Sequence, residues 1–332
     1  MHGARRESGK GMMGERIEIM DAGMMKQYPD KIRLIEYWAA VMNRPVGWHY
    51  WLDIIWILNN IEAIGLPKNA WILDAGAGLG ILQYILAARG YNVISLDYAE
   101  RKVPPVASMI FDIKERVYEI RGKEHPYRKF INYNKPLGAS LYEKARKALS
   151  HPVKAARFIM RGYIIPNFNV DRWGEIIRSS IQKKPYGKIL FARGDFTDLA
   201  DFDAASVDCI VSVSALEHSD PESIARAVSQ FKRVVKNGGS MCITVSAAED
   251  KDWFFEPCRG WCFTENTLRK MFGLENAPSN YGDYQKLFAD LKASGEIRKR
   301  IARVYFESGD NGLPWGVYEP HYQPVGIVKK SQ

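Results

Sequence analysis

The sequence predicts an α/β fold, in which helices flank a mostly parallel sheet. Segment 71–100 contains a short apolar strand, a glycine-rich turn, a helix and a second strand in succession. After residue 188 the same alternation returns, with apolar strands at 188–192, 207–213 and 240–245 separated by other segments. Strands that alternate with helices indicate parallel pairing, because each helical crossover brings the chain back in the same direction.

Segment 71–100 has the features of a nucleoside site. Asp74 leads from the first strand into the glycine turn 76–80, and Asp97 ends the second strand. Glycines let the backbone approach a ligand closely, and the helix that follows presents free N–H groups. A carboxylate at position 97 is placed to accept hydrogen bonds from ribose hydroxyls. A dinucleotide site uses the same logic, so the glycines leave NAD open as an alternative cofactor.

The third strand of the expected unit is delayed by a long insertion at 101–187. A structureless loop of this length is implausible in a compact domain, so we expect it to form its own structure. The apolar spacing predicts a mostly helical cap, with helices at 106–120, 139–149, 152–163 and 171–182. Residues 101–188 contain 20 lysines and arginines against 7 aspartates and glutamates, whereas the whole chain has a net charge of +9. The basic character therefore belongs to this one segment.

The two ends of the chain complete the predicted organisation. Residues 1–28 are polar and glycine-containing at their start, which predicts a disordered tail, and residues 29–65 contain two apolar helical stripes. The clustered aromatic residues of the second stripe favour core packing over substrate contact. Towards the carboxyl end the patterns predict helices at 221–235, 265–272 and 284–291 and strands at 301–306 and 325–328.

The order of motifs resembles that of the class I S-adenosylmethionine (SAM)-dependent methyltransferases, in particular the type-11 group that acts on small molecules. The motifs are DAGAGLG at 74–80, Asp97, GDF at 194–196, DCIVSVSALEH at 208–218 and FKRVVKNGG at 231–239. The resemblance covers 66–100 and 188–275. It implies a Rossmann-like core built from 66–100 and 188–332, whose last strand runs antiparallel to the others.

The resemblance also implies which residues bind the cofactor. Asp74 and the glycine turn would hold the amino-acid end of SAM, Asp97 its ribose, and Asp195 with the backbone of Phe196 its adenine. An aspartate in a turn is the alternative interpretation of Asp195. The full implied set for SAM, and for its product S-adenosylhomocysteine (SAH), is Asp74, Gly76, Ala77, Gly78, Gly80, Asp97, Tyr98, Asp195, Phe196 and Ser214.

His218 is the candidate catalytic residue. It follows the fourth strand, at the edge of the sheet where ligands bind in such folds. An imidazole can take the proton of a hydroxyl as the oxygen attacks the sulfonium methyl group. The alternative is a structural histidine, since Leu-Glu-His is common in this family whatever the substrate. Glu217 is interpreted as structural.

These observations predict a SAM-dependent methyltransferase that methylates oxygen on a small-molecule or glycan acceptor carrying negative charge. Nitrogen or carbon methylation, an NAD-dependent oxidoreductase and a non-catalytic SAM-binding protein remain as alternatives. The basic insertion is a solvated cap, a site for an anionic acceptor or a surface for peripheral membrane contact, and nucleic acid is the least favoured partner. Four cysteines without a disulfide framework favour the cytoplasm, including the inner face of its membrane, and their spacing predicts no metal site.

Overall fold

A computed structural model describes residues 14–119, 174, 175, 177, 178, 184–302, 313 and 317–331. One sheet of ten strands runs through the described residues. The strands are Arg16–Ile19 (β1), Trp71–Ala75 (β2), Asn92–Asp97 (β3), Ile113–Val117 (β4), Ile189–Arg193 (β5), Val207–Val213 (β6), Val235–Ala247 (β7), Trp253–Phe255 (β8), Gly260–Phe263 (β9) and Gln323–Lys330 (β10).

The described helices lie between these strands, singly or in groups of three. They are Met24–Gln27 (α1), Pro29–Met42 (α2), Tyr50–Ile64 (α3), Leu82–Ala88 (α4), Pro105–Ile110 (α5), Pro221–Val234 (α6), Glu265–Phe272 (α7), Tyr284–Ala293 (α8) and Gly295–Arg300 (α9), with 3₁₀ turns at Leu216–His218 and Tyr281–Asp283.

The sheet has the predicted architecture. Its main path is β1-β10-β7-β6-β2-β3-β5-β4, and all pairings from β7 through β4 are parallel. The last strand, β10, runs antiparallel to β7, as the resemblance implied. The carboxyl ends of β2, β3, β5 and β6 therefore meet at one edge of the sheet, where ligands bind in open parallel sheets.

Helices cover both faces of the sheet. α2, α3 and α4 bury Trp38, Ile55 and Tyr84 in a cluster on one face. α6 and α7 bury Phe231 and Phe272 in a second cluster on the other. Burying apolar side chains on both faces explains why the central strands read as continuous apolar runs rather than alternating ones.

The amino-terminal segment corrects one prediction. Residues 14–28 were expected to belong to a disordered tail, but β1 pairs antiparallel with β10 and α1 follows it. Ile17 and Ile19 are buried on the sheet, and the Asn280 side chain accepts a hydrogen bond from the Ile19 amide at 2.7 Å. A strand of four residues is too short for its alternation to be recognised in a polar context. Residues 1–13 lie outside the described residues.

The start of the insertion corrects another. A helix was predicted over 106–120, but α5 ends at Ile110 and β4 pairs in parallel with β5 at the edge of the sheet. The sequence Ile113–Val117 alternates poorly and is largely exposed, so only pairing with β5 makes it a strand. The predicted helices at 139–149 and 152–163 lie outside the described residues, as do residues 303–306 of the predicted strand 301–306. The β8–β9 hairpin was not predicted.

Both described ends of the insertion pack on α2. Phe111 and Tyr186 lie 5.3 Å apart between ring centroids, and each contacts Trp38, at 5.3 Å and 6.4 Å. Nearby, the buried carboxylate of Glu175 accepts hydrogen bonds from Lys184 Nζ at 2.8 Å and from the Tyr37 hydroxyl. The insertion therefore begins and ends on the face of the sheet that carries the amino-terminal helices.

Candidate functional site

The glycine turn after β2 is held against two neighbouring strands. The amides of Gly76 and Ala77 donate to the Leu96 carbonyl at 2.9 Å and 3.0 Å. Gly76 has a φ of 76°, and a Cβ there would lie 2.4 Å from the Cβ of Ala215 in the loop after β6. A larger residue would both strain the backbone and push that loop away. Gly78 also has a positive φ, and the carbonyl of Gly80 accepts from Gln83 Nε2 at 2.9 Å.

Asp97 ties the turn to the end of β3. Its Oδ2 accepts from the Gly78 amide at 2.7 Å and its Oδ1 from the Ala99 amide at 2.8 Å. A carboxylate oxygen can accept more than one hydrogen bond, so both oxygens keep capacity for ligand hydroxyls. The next residue, Tyr98, is half-buried beside it. The sequence prediction placed Asp97 at the ribose, and its position at the strand tip is compatible with that role.

Asp74 is a buried carboxylate with an unpaired oxygen. It is 1% exposed at the end of β2, and no described residue hydrogen-bonds to its Oδ2. Burial raises its pKa to about 7; the positive charge of Arg101 lowers the pKa and the carboxylate of Asp97 raises it. A buried polar atom without a partner is costly unless a ligand satisfies it. Asp74 therefore suits a cationic or hydrogen-bond-donating group, such as the ammonium of an amino acid.

Arg101 braces the site and was missed by the sequence analysis. Its guanidinium donates to the Gly78 carbonyl at 2.9 Å, to the Ser95 carbonyl at 2.6 Å and to the Ala192 carbonyl at 3.0 Å. It also lies 4.3 Å from the centre of the Phe191 ring. One side chain thus joins the glycine turn to β3 and β5. Only its place at the first residue of the basic insertion hinted at a role, since an arginine there reads equally well as a solvated charge.

Asp195 and Phe196 follow β5 at the same edge of the sheet. Asp195 Oδ1 accepts from the Thr197 amide at 2.8 Å, which is the turn geometry that the alternative interpretation expected. The Phe196 ring lies against the glycine turn, 3.4 Å from where a Gly76 Cβ would be. The structure therefore places the Phe196 ring beside the turn, whereas the Asp195 side chain holds its own loop.

The loop after β6 carries Ser214, Glu217 and His218. Ser214 has a φ of 46°, and its hydroxyl donates to Glu217 Oε1 at 2.5 Å. Glu217 is buried, and no described residue hydrogen-bonds to its Oε2. His218 Nδ1 lies 2.9 Å from the Arg259 carbonyl in the β8–β9 hairpin. Because a carbonyl only accepts, Nδ1 carries the proton and Nε2 of the neutral ring is left as an acceptor.

A second histidine was not predicted at this edge. His49, at the start of α3, is 5% exposed, and its Nδ1 lies 2.6 Å from Asp53 Oδ2. The sequence analysis assigned this aromatic segment to core packing. A hydrogen-bonded partner four residues away was the signal available in the sequence, since side chains at that spacing share a helix face.

We also searched the described residues for other clefts, metal sites and membrane-spanning helices. Surface clefts of about 350 Å³ and 480 Å³ lie between α1 and α9 and beside the α7–α8 connection. Neither includes the unpaired carboxylates, so we take the glycine edge as the site. Among the described residues, no group of His, Cys, Asp and Glu is arranged to hold a metal ion. None of the helices in this part of the chain is long and apolar enough to cross a membrane.

Part of the sheet matches a known protein family. A family model described as a methyltransferase domain matches residues 158–243, which include β5, β6 and most of β7. The glycine turn lies outside this range, so its assignment rests on its own motif and geometry. No curated protein matches this sequence.

Several solved structures are similar over most of the chain. The [4+2]-cyclase SpnF is 12% identical, covering 96% of this chain and 99% of its own, with a TM-score of 0.42. A Burkholderia thailandensis 1,6-didemethyltoxoflavin-N1-methyltransferase is 15% identical, covering 93% and 86%, with a TM-score of 0.39. A SAM-dependent methyltransferase from Methanosarcina mazei is 14% identical, covering 83% and 96%, with a TM-score of 0.37. At these scores the similarities support no inference about the substrate.

Proposed function

We propose that this chain is a SAM-dependent methyltransferase that methylates an oxygen of a small-molecule or glycan acceptor carrying negative charge. Its motifs resemble those of the class I enzymes, and a methyltransferase-domain model matches residues 158–243. The observation that supports a methyl-transfer site is the unpaired, buried Asp74 carboxylate behind the glycine turn. It lies within one edge of the sheet together with Asp97 and Phe196.

The residues at this edge fit SAM. Asp74 offers an acceptor to the ammonium group, Asp97 offers acceptors to the ribose hydroxyls, and Phe196 offers an apolar face to the adenine. When bound, SAM supplies a methyl group on a positively charged sulfur, which is a good leaving group. The protein's own contribution is then to align the acceptor with that methyl group and to remove its proton.

The negative charge proposed for the acceptor rests on the basic insertion. Its lysines and arginines outnumber its acids by 13 over residues 101–188, whereas the rest of the chain is slightly acidic. Clustered positive charge raises the local concentration of anions. Contact of the same segment with anionic membrane is a related proposal. Nitrogen or carbon methylation remains the alternative chemistry, and the cytoplasm remains a prediction from the cysteines.

Calorimetry separates the cofactor alternatives. We expect SAM and SAH to bind and NAD not to bind, because an unpaired carboxylate at Asp74 favours an ammonium and NAD has none. Binding of NAD instead of SAH would contradict the proposal and favour the oxidoreductase. Binding of SAH without SAH release from SAM in any acceptor assay would favour the non-catalytic scaffold.

Acceptor charge is tested with pairs of compounds that differ in one carboxylate. Suitable pairs are glucuronate and glucose, and 4-hydroxybenzoate and 4-hydroxybenzyl alcohol, with SAH release as the measurement. We expect the anionic member to have the lower Michaelis constant at low salt and to lose that advantage as salt screens the field. Preference for the neutral members would contradict the anionic acceptor while leaving methyl transfer intact.

A further inference from the structure

A second group of titratable and aromatic side chains lies beside the glycine edge. It joins the start of α3, the loop after β6, the β8–β9 hairpin and the residues before β10. Its polar centre is the pair His49 and Asp53, which are 5% and 1% exposed. The link to the glycine turn is short, because Ala215 packs on Gly76 and Glu217 follows two residues later.

His49 is held in one tautomer. Asp53 Oδ2 lies 2.6 Å from His49 Nδ1, and a carboxylate accepts, so Nδ1 carries the proton of the neutral ring. Nε2 is therefore left with a lone pair, and no described residue hydrogen-bonds to it. A carboxylate also stabilises the imidazolium that forms when Nε2 takes a proton. His218 has a backbone carbonyl instead of a carboxylate at the same position of its ring.

Glu217, in the loop after β6, adds a buried oxygen without a hydrogen-bond partner among the described residues. This oxygen is Oε2, and the side chain is 1% exposed. Burial raises its pKa, while the nearby rings of His218 and His49 and the Ser214 hydroxyl lower it. Glu217 packs on Gly260 in the β8–β9 hairpin, and the same hairpin reaches His49 through the Phe255 and Tyr322 rings. The hydroxyl group of a bound compound would satisfy this buried oxygen by donating a hydrogen bond to it.

Aromatic rings line this group. The His49 ring lies 4.2 Å from Tyr50 and 5.9 Å from Tyr322 between centroids. In the hairpin Phe255 lies 5.8 Å from Tyr322 and 5.4 Å from His321. Tyr50 and Phe255 are half-buried, so part of each side chain reaches the surface. Flat apolar faces around a few polar atoms suit a planar ring that carries a hydroxyl group.

We propose that this group is the acceptor site, that it takes a phenolic ring, and that His49, held by Asp53, accepts the phenol proton. This inference rests on the proposed methyltransferase function and narrows its acceptor. A phenol suits the site better than a sugar hydroxyl, because proton transfer is most efficient when the pKa values of acid and base are close. The pKa of an imidazolium is far closer to that of a phenol than to that of an alcohol.

The reaction balances with these groups. The acceptor O–H bond breaks and its proton passes to His49 Nε2. The oxygen's electron pair forms the new O–C bond as the methyl C–S bond breaks, and that bond's electrons stay on sulfur to give the neutral thioether SAH. The proton leaves His49 to water after the products separate. The charged groups that face His49 during this cycle are Asp53 and Glu217, with the hydroxyls of Tyr50 and Tyr322 nearby.

Binding of 4-nitrophenol to the SAH-saturated protein tests the inference without a known acceptor. The phenol and phenolate forms of this probe absorb at different wavelengths, so the spectrum reports where the proton is. Below the pH at which the free probe ionises, we expect the bound probe to be phenolate. His49→Asn keeps a donor to Asp53 but removes the basic nitrogen. We expect it to weaken phenolate binding by about 10- to 100-fold, the equivalent of one charge-assisted hydrogen bond.

The same substitution at the other histidine, His218→Asn, provides the comparison, and we expect a smaller loss. A larger loss in His218→Asn, or an unchanged spectrum in His49→Asn, would overturn the inference. So would binding of the probe as neutral phenol, or no binding at all. If His49→Asn fails to fold, ¹⁵N NMR of the wild-type ring decides, since Nε2 must become protonated when the probe binds. If the wild type does not bind SAH, that result would count against the proposed function instead.

Discussion

Two carboxylates in the candidate site differ in the way they are satisfied. Asp97 accepts backbone amides with both oxygens, whereas Asp74 keeps a buried oxygen without a partner among the described residues. Burial accordingly raises the pKa of Asp74 to about 7. The site thus contains one carboxylate that shapes the turn and one that a cationic ligand would ionise.

Cofactor binding should release protons from Asp74. Below pH 7 its carboxyl is largely protonated, and an ammonium group beside it favours the ionised form, so the pKa falls on binding. Calorimetry with SAH in phosphate and in imidazole near pH 6 should give different apparent enthalpies, equivalent to release of up to about one proton. The difference should shrink at pH 8. Asp74→Asn should bind more weakly and show no buffer dependence; buffer dependence that survives this change would contradict the assignment.

Asp97 should contribute to cofactor affinity. Asp97→Ala leaves the Gly78 amide and the ribose hydroxyls without their acceptor, so we expect SAM binding to weaken by about 1–3 kcal/mol. Asp198→Ala is a matched control, because Asp198 also accepts the amide two residues on, at 3.1 Å, but lies outside the site. Calorimetry on both variants is the measurement. Equal affinity in Asp97→Ala and the wild type would remove Asp97 from the site.

At the scale of elements, the junction between the insertion and α2 is built on one buried acid. Burial alone would raise the pKa of Glu175, but hydrogen bonds from Lys184, Tyr186 and Tyr37 lower it to about 2. Burial, followed by the hydrogen bond to Glu175, raises the pKa of Tyr37 to about 12. Glu175 is therefore an ionised carboxylate that joins Lys184 and Tyr186 at the end of the insertion to Tyr37 of α2.

Glu175→Gln should destabilise this junction by about 1–3 kcal/mol near neutral pH, the usual value for hydrogen bonds to a buried charge. Since the folded pKa lies below the ordinary value of 4.5, the stabilisation is complete above that pH and is lost as pH falls towards 2. The difference in unfolding free energy between wild type and variant should shrink over that window. Glu222→Gln, in an exposed pair with Arg226, should cost about 0.5 kcal/mol or less. A pH-independent difference would contradict the prediction.

At the scale of the whole molecule, charge is separated between core and insertion. Residues 101–188 hold more positive charge than the net +9 of the chain, so the remaining residues are slightly acidic. The insertion starts directly after the loop that follows β3, at the edge where the site lies. Under the proposed function, a basic segment in that place would raise the local concentration of an anionic acceptor.

Neutralising this segment should change acceptor kinetics and leave the cofactor alone. Lys144, Lys147, Lys154 and Arg157 lie outside the described residues, and their joint replacement by Gln is expected to raise the acceptor Michaelis constant. The salt dependence should flatten, because fewer charges remain to be screened. Steady-state kinetics and binding to vesicles containing phosphatidylserine, both across salt, are the measurements. If neither changes, the charge is a solvated surface.

The sequence by itself determined the central unit. Asp74, the glycine turn and Asp97 were recognisable because local backbone requirements select the residue at each position. The succession of β2, β3, β5, β6 and β7 along the chain followed from short continuous apolar runs separated by other segments. Burial of these strands on both faces produces that strong pattern.

Tertiary structure decided what depends on partners distant in the chain. β1 and β4 are strands only because β10 and β5 offer them backbone partners, and their own patterns are too short or too exposed to show it. In the sequence, Arg101 could not be distinguished from a surface charge. Only the structure shows that its guanidinium donates hydrogen bonds to carbonyls of three separate segments. His49 likewise resembled core packing, because only the fold places its ring beside Tyr322, which is 273 positions further along the chain.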